Sequence, residues 1–378
     1  MLVPKQIAAA SNKPSMNFIP QVEPYITSQE IEAVSQYLKS GGWLTEFEKT
    51  KALEESLARF LGVSYCTVVT SGTAALYLAL LSAGVGKGDK VIVPNYTMIA
   101  TINAVVWAGA EPILVDVDPE HLGMDLEKIS STHKAKALLY VSIGGRSGDM
   151  AMVQKYCKKK GLILIEDACQ SLGSYAQGRP LGTFGELGIF SFTPHKIITT
   201  GQGGAIVTNN QEFNTKIKKL KDFSRTAPAS DWHDGLGYNF KFTDLQAVIG
   251  LEQLKQIDFR IKRKKEIFEK YRNFLKSVKE IEFLATDLNQ TTPWFIDILL
   301  PSVDIRDRLN AYLKQNSIGA RPFYPPINHQ KPYTQFKKDS FPVSEALAYR
   351  GTWLPSSVGL DDEKITYVAQ TIQKYLKS

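Results

Sequence analysis

The stretch Leu162-Ile163-Leu164-Ile165-Glu166-Asp167-Ala168-Cys169-Gln170 decides the fold class. Four apolar residues in succession suit a strand buried on both faces, as in a parallel sheet covered by helices. The run ends in two acids, and ligand-facing groups sit at the carboxyl ends of strands in open α/β sheets. Consecutive strand residues point to opposite faces, so only one of Glu166 and Asp167 is expected in a given site. A solvated strand end or a helix cap is the plainer use of such acids.

Similar β-rich runs occur at 66–69, 91–93, 113–117, 137–141, 189–192 and 205–207, with helical stretches such as 74–83 and 151–160 between many of them. That alternation predicts an α/β domain with a mostly parallel sheet flanked by helices. No helix fits between 192 and 205, so one antiparallel step is expected there. Upstream, Thr27-Ser28-Gln29-Glu30 reads as a capping box, followed by Ile31, Val34 and Leu38 at helical spacing. A second helix is expected over 46–60. Downstream, Arg260-Ile261-Lys262-Arg263-Lys264-Lys265 lies in a long basic helix expected over 251–278. Runs at 281–284 and 294–300 are β-like, a Pro-rich stretch follows, and a last helix is expected over 362–376. The chain therefore divides into an N-terminal arm with a large domain, 1–255, and a smaller α/β C-terminal domain, 256–378.

The 378 residues carry a net charge of +7, with ordinary hydrophobic and charged fractions, which excludes whole-chain disorder or coiled coil. The basic helix is expected to have a solvated face. No aromatic interleaving accompanies it, so no nucleic-acid role is expected. The three cysteines, Cys66, Cys157 and Cys169, form no CxxC pair, which fits a reducing compartment. Pro4, Lys5 and Lys13 break any signal-peptide core in residues 1–15, and no apolar run is long enough for a bilayer. The expected location is the cytoplasm, without membrane contact. No metal site is expected.

Three features converge on one chemistry. Thr70-Ser71-Gly72-Thr73-Ala74-Ala75 stands between a strand and an apolar helix, where free N–H groups and the helix dipole suit a phosphate. An ordinary N-cap is the plainer reading of that motif alone. The acids at 166–167 are the second feature. The third is Ser191-Phe192-Thr193-Pro194-His195-Lys196, followed by Thr199-Thr200-Gly201-Gln202-Gly203-Gly204. Most lysines are solvated, but a buried lysine with a lowered pKa is a Schiff-base former. The Gly-rich run does not match GxGxxG in a βαβ unit, so a nicotinamide site is not supported. An acid, a lysine about 29 residues on and a phosphate cradle are what pyridoxal 5'-phosphate needs.

These residues resemble the DegT/DnrJ/EryC1/StrS family of sugar aminotransferases, within the fold-type I pyridoxal phosphate enzymes. Gly42-Trp43-Leu44, Gly88-Asp89-Lys90-Val91-Ile92-Val93-Pro94, Gly237-Tyr238-Asn239-Phe240 and Leu354-Pro355-Ser356 extend the resemblance along the chain. The resemblance implies Lys196 as the Schiff-base lysine and Asp167 as the partner of the pyridine nitrogen. Gly72 and Thr73 match backbone phosphate contacts, Ser191 a phosphate hydroxyl, and Gln170 the residue beside the ring oxygen. Asn239 resembles an asparagine that reaches the phosphate of the neighbouring subunit, which implies a homodimer with shared sites. Met98 stands where the family has an aromatic stacking on the cofactor, and sulfur–π contact can replace stacking. Ser142 stands for the usual His, Gln202 for Glu and Lys241 for Arg. Among possible substrate contacts, Trp43 is either a lid over the sugar or a packing anchor. Arg321 opens a substrate-like loop in which Asn328 and His329 compete for the family's Pro-x-His slot.

The implied activity is transfer of an amine from L-glutamate, leaving 2-oxoglutarate, to a nucleotide-linked keto sugar, a 4-keto-6-deoxyhexose on GDP, dTDP or UDP. The product is an amino sugar for polysaccharide or O-antigen (lipopolysaccharide) biosynthesis. Arg350-Gly351-Thr352-Trp353-Leu354-Pro355-Ser356 resembles the perosamine and viosamine synthase group. The alternatives are a nucleotide-sugar dehydratase, a 3-keto sugar aminotransferase or a non-catalytic regulator on the same scaffold. Related dehydratases replace the lysine by His, and here the lysine is present.

Overall fold

The computed structural model describes residues 18–130, 134–227 and 230–377. The expectation for residues 1–15 falls outside them. Helices α1 (Ser28–Lys39) and α2 (Glu48–Leu61) lead into strand β1 (Tyr65–Val69) and helix α3 (Gly72–Ser82). Then come β2 (Lys90–Pro94), α4 (Ala100–Trp107), β3 (Glu111–Val115), β4 (Ala137–Val141), α5 (Met150–Lys160) and β5 (Ile163–Asp167). A short hairpin, β6 (Tyr175–Ala176) and β7 (Arg179–Pro180), precedes β8 (Leu187–Ser191), β9 (Gly204–Thr208) and α6 (Gln211–Lys221).

One sheet of seven strands, ordered β1-β9-β8-β5-β4-β2-β3, forms the centre. Neighbouring pairs from β8 to β3 are parallel, while β9 runs antiparallel to both β8 and β1. The expected antiparallel step is therefore β8 to β9. Strand β4 is buried at every position, as the unbroken apolar run requires. Helix α3 is apolar nearly all round and buried on most of its faces. It packs between the sheet and its neighbours, helices α4 and α6.

The chain continues through α7 (Asp244–Lys255), α8 (Ile257–Leu275), β10 (Ile296–Leu299), α9 (Val303–Gln315), β11 (Arg321–Pro322), α10 (Pro342–Arg350), β12 (Gly351–Leu354) and α11 (Asp362–Leu376). A second sheet, β10-β12-β11, is wholly antiparallel. Its core joins Ile267, Phe268 and Tyr271 of α8 to Ile296 and Ile298 of β10 and to Ile365 and Val368 of α11. Helix α11 covers the expected 362–376, with Asp361 as its N-cap accepting from the Lys364 amide at 2.8 Å.

The structure corrects three expectations here. The helix expected over 251–278 is two helices, broken at Gln256, where φ is −101° and ψ 12°. Helix α7 packs on α1 and α2, whereas α8 serves the second core, so the chain turns between them. Residues 281–284 form no strand, contributing only a single bridge from Glu282 to Leu299. The basic run is also not simply a solvated face. Arg260 and Lys264 are buried, one turn apart on the stripe that continues into Phe268 and Leu275. Local composition hid them, because charge rather than period dominates that segment.

Arg260 is balanced by Glu30, the capping-box acid of α1. Its Nη2 donates to Glu30 Oε1 and to the Tyr25 carbonyl, each at 3.2 Å. The same carboxylate accepts from Gln253, and its other oxygen accepts from the Thr27 amide at 2.8 Å. One residue thus starts α1 and neutralises a cation buried under the arm. Removing the cation leaves Glu30 as an uncompensated buried charge. Arg260→Ala should lower unfolding stability by about 3 kcal/mol. Lys262→Ala, on the exposed face of the same helix, should stay within about 0.5 kcal/mol of the parent. Urea denaturation of the two variants side by side checks this, and equal losses would refute it.

Candidate active site

The carboxyl end of β5 separates its two acids. Glu166 turns to one face and is fully buried, accepting from the Gly182 amide at 2.9 Å and the Gly185 amide at 2.6 Å. Burial pushes its carboxyl up to about 7 against those hydrogen bonds. Asp167 turns to the other face and enters the site, as one of the pair was expected to do. Its Oδ2 accepts from the Thr101 hydroxyl at 2.8 Å and its Oδ1 from the Cys169 amide at 3.2 Å. The Thr97 hydroxyl lies 2.9 Å from that of Thr101. Thr101 already donates to Asp167, so Thr97 donates to Thr101 and the chain of hydroxyls fixes the carboxylate.

Across the cavity, α3 begins. Ser71 caps it by accepting from the Ala74 amide at 3.1 Å, which leaves the amides of Gly72 and Thr73 without an intrahelical partner. A Cβ on Gly72 would stand 2.9 Å from Ser191 Cβ and 3.0 Å from Cys169 Sγ. Only glycine lets the helix start come this close to the end of β8. Two open amides, the dipole of an eleven-residue helix and the Ser191 hydroxyl form an anion cradle.

Lys196 lies in the loop between β8 and β9, its amide bonded to the Thr193 carbonyl at 3.0 Å. Its Nζ sits 4.4 Å from the centre of the Trp294 ring. Burial holds the amine down to about 8, opposed by Cys169 and Asp167 and reinforced by Arg321. Burial likewise pushes neighbouring His195 down to about 4, with Lys196 and Arg321 acting in the same sense. His195 is therefore neutral at physiological pH.

Gly72, Thr73, Met98, Asp167, Gln170, Ser191 and Lys196 line one cavity of about 700 Å³, joined by Gln202 and Tyr324. Gln170 is held by the Gly144 amide, which donates to its Oε1 at 2.8 Å. Met98 is 43% exposed, so its side chain is open to a ligand at the cavity wall. A phosphate cradle, a carboxylate and a primary amine around one void fit a flat aldehyde bearing a phosphate, the chemistry of pyridoxal phosphate.

The remaining candidates do not line this cavity, though Arg321 is near enough to act on Lys196. Asn239 is exposed, outside this cavity, and bridges only to Asp222. Trp43 is 65% exposed and lines a surface groove with Tyr37 and Phe47. Arg321 stacks over Trp353, its Cζ 4.8 Å from the ring centre, and makes no ion pair among the described residues. Asn328 is not brought to the cavity. It is fully buried, accepting from Asn95 and donating to Glu345, each at 3.0 Å, so its amide is consumed in locking two loops. His329 contacts the Tyr349 hydroxyl at 2.6 Å and Glu345 at 3.3 Å, also outside that cavity. The sequence assigns no role to Thr101, Trp294 or Tyr324, although Thr101 follows Met98 on the same segment and Tyr324 lies in the loop that Arg321 opens.

The model of the DegT/DnrJ/EryC1/StrS aminotransferase family matches residues 24–373. The chain is 36% identical over 362 residues to a GDP-perosamine synthase of Escherichia coli O157:H7, covering 95% of this chain and 99% of that protein. It superposes on Helicobacter pylori PseC, an aminotransferase involved in the biosynthesis of pseudoaminic acid. The TM-score is 0.89 at 27% identity, over 95% of this chain and 99% of that one. The PLP form of the putative sugar aminotransferase Spr1654 from Streptococcus pneumoniae gives a TM-score of 0.89 at 26% identity, with the same coverage of both chains.

The site predicts one titration directly. In the cofactor-free chain the Lys196 amine should lose its proton near pH 8, well below an ordinary lysine. NMR titration of the reductively ¹³C-methylated protein, with the resonance assigned by its loss in Lys196→Met, measures it. A midpoint in the ordinary lysine range would refute the buried setting of the amine.

Proposed function

The chain belongs to the DegT/DnrJ/EryC1/StrS aminotransferase family, whose members are pyridoxal phosphate enzymes acting on sugars, and from that premise we propose its substrates and the roles of its residues. It is a sugar aminotransferase. The acceptor we propose is a 4-keto-6-deoxyhexose on a nucleoside diphosphate, and the donor L-glutamate. The donor leaves as 2-oxoglutarate and its amine replaces the carbonyl oxygen of the sugar. The GDP-perosamine synthase relative, matched along nearly its whole length, supports this acceptor class. The product serves polysaccharide synthesis, and we place the enzyme in the cytoplasm. Among the described residues no helix is long and apolar enough to cross a membrane.

When bound, pyridoxal phosphate supplies an aldehyde for the amine and a ring that delocalises the electron pair left by a departing proton. The rest falls to the chain. The amides of Gly72 and Thr73 and the hydroxyl of Ser191 hold the phosphate. Asp167, fixed by Thr101 and the Cys169 amide, would accept a hydrogen bond from the protonated ring nitrogen and keep that nitrogen cationic. Gln170 would stand beside the ring oxygen, and Met98 would offer a sulfur–π contact to the ring face. Lys196 would hold the aldehyde, and its amine, when free and neutral, would take the proton from the donor α-carbon. An amine held near 8 stays proton-free often enough at neutral pH to do so. Asn239, exposed and outside its own cavity, is proposed to reach the phosphate bound by a second copy, which makes the enzyme a homodimer with shared sites. Arg321, His329 and Trp43 are proposed at the sugar-nucleotide side.

The observation that carries this reading is the meeting of Asp167, Lys196 and the open α3 amides around one void. Incubation with L-glutamate and a panel of nucleotide keto sugars, read by mass spectrometry, should yield an amino sugar and 2-oxoglutarate in equal amounts. Lys196→Ala should lose the borohydride-fixed cofactor adduct and at least about 10²-fold of the rate, the least expected from removing a positioned acid–base group. Asp167→Asn should retain cofactor while losing rate. A yellow holoenzyme that aminates no keto sugar with any donor would overturn the proposal.

A further inference from the structure

Lys196 forms part of a wall between two cavities. On its other side lies a second void, which shares Cys169, Gln170, Ser191, His195 and Lys196 with the first. Its other side is built by α8, the arm at 22–25 and the segment 356–358. Two cations enter it from α8. Arg260 is 1% exposed and Lys264 5%.

The hydrogen-bond inventory of this void is one-sided. The Nη2 of Arg260 is used by Glu30 and the Tyr25 carbonyl, but its Nε–H has no partner. Lys264 donates to the Ser356 carbonyl at 2.7 Å and has no carboxylate within ion-pair distance among the described residues. The Ser356 hydroxyl is fully buried and also unpartnered. Three other polar groups of the lining carry no negative charge, and each already holds a hydrogen bond. Ser357 Oγ accepts from the Glu23 amide, Gln253 Oε1 from the Thr199 amide, and the Thr292 hydroxyl is bonded to the Gly173 carbonyl. The unpartnered Arg260 Nε–H and Ser356 hydroxyl thus border the same void as an ammonium with no carboxylate in reach among the described residues.

The surrounding charges do not close the balance. Glu30 is matched to Arg260. Asp297, the carboxylate that acts on Lys264 at longer range, is held bidentate by Arg146 at 2.7 and 2.8 Å. Glu23 borders the void but is an exposed residue. Lys196 and His195 add no negative charge. A buried ammonium without a counter-ion either gives up its proton or takes an anion. Burial does hold the Lys264 amine down to about 7, so both states are accessible near neutrality.

We propose that this void binds a small monovalent inorganic anion of chloride's size and charge, held by Lys264, the Arg260 Nε–H and the Ser356 hydroxyl. Binding is linked to protonation of Lys264, so it strengthens as pH falls through the midpoint of that amine and weakens above it. The anion also lies behind the wall that carries Lys196. Negative charge there favours the protonated state of the catalytic amine.

Bromide is the probe. Crystals of the cofactor-loaded enzyme grown in sodium bromide near pH 6 should give an anomalous peak in hydrogen-bond reach of Lys264 Nζ and Ser356 Oγ. The peak should vanish in Lys264→Met and weaken in Ser356→Ala, the milder variant should Lys264→Met fail to fold. In solution, saturating chloride should raise the melting temperature by about 2 °C at pH 6 relative to gluconate at equal ionic strength. It should do nothing at pH 9. Water alone in the bromide map, or a chloride effect independent of pH and of both variants, would overturn the proposal.

Discussion

Glu166 and Asp167 are neighbours on one strand and cannot face the same way. Much of the active site depends on that constraint. The inward-facing Glu166 gathers the amides of Gly182 and Gly185, and so fixes the turn that feeds β8. Strand β8 in turn delivers Ser191 and the loop carrying Lys196. The outward-facing Asp167 reaches the cavity with its own supports from α4 and from Cys169. One peptide unit thereby sets both the carboxylate and the path of the chain that brings the amine to meet it.

The second sheet is registered against this centre by a buried ion pair. Arg146, in the loop after β4, grips Asp297 of β10 with two nitrogens, both side chains 3% exposed. Close by, the Trp294 amide donates to the Gly144 carbonyl at 3.3 Å, while the Gly144 amide donates to Gln170. The Trp294 indole N–H bonds the His195 carbonyl at 3.0 Å. A residue at the start of the smaller sheet therefore holds backbone on both sides of the site. Pairs of this kind add little net stability, but breaking one is costly, so they fix geometry more than they add strength.

The central sheet was legible because its strands are local apolar runs, and their ends moved by only a few residues. The motifs around Gly72, Asp167 and Lys196 were legible because each is contiguous and sits where a strand ends. What could not be read depends on distance along the chain. Thr101 meets Asp167 across 66 residues, and Trp294 meets Lys196 from the other sheet. Charged neighbours mask the buried stripe of Arg260 and Lys264, and the acid that neutralises Arg260 lies far away in α1. Asn328 was placed by resemblance to a loop, yet its partner Asn95 closes over it from 233 residues away.

The reversed strand β9 has a consequence for synthesis of the chain. Strand β1 emerges early, yet its neighbour in the sheet is β9, Tyr65 against Thr208. Helix α3, which follows β1, is apolar on nearly every side and is covered by β8, β9 and α6. Until residue 221 has left the ribosome, this helix has no complete shelter from water. The β8–β9 hairpin, by contrast, closes locally, Ser191 against Gly204. The nascent chain therefore exposes its most apolar helix while residues 83–221 are made, more than a third of its length.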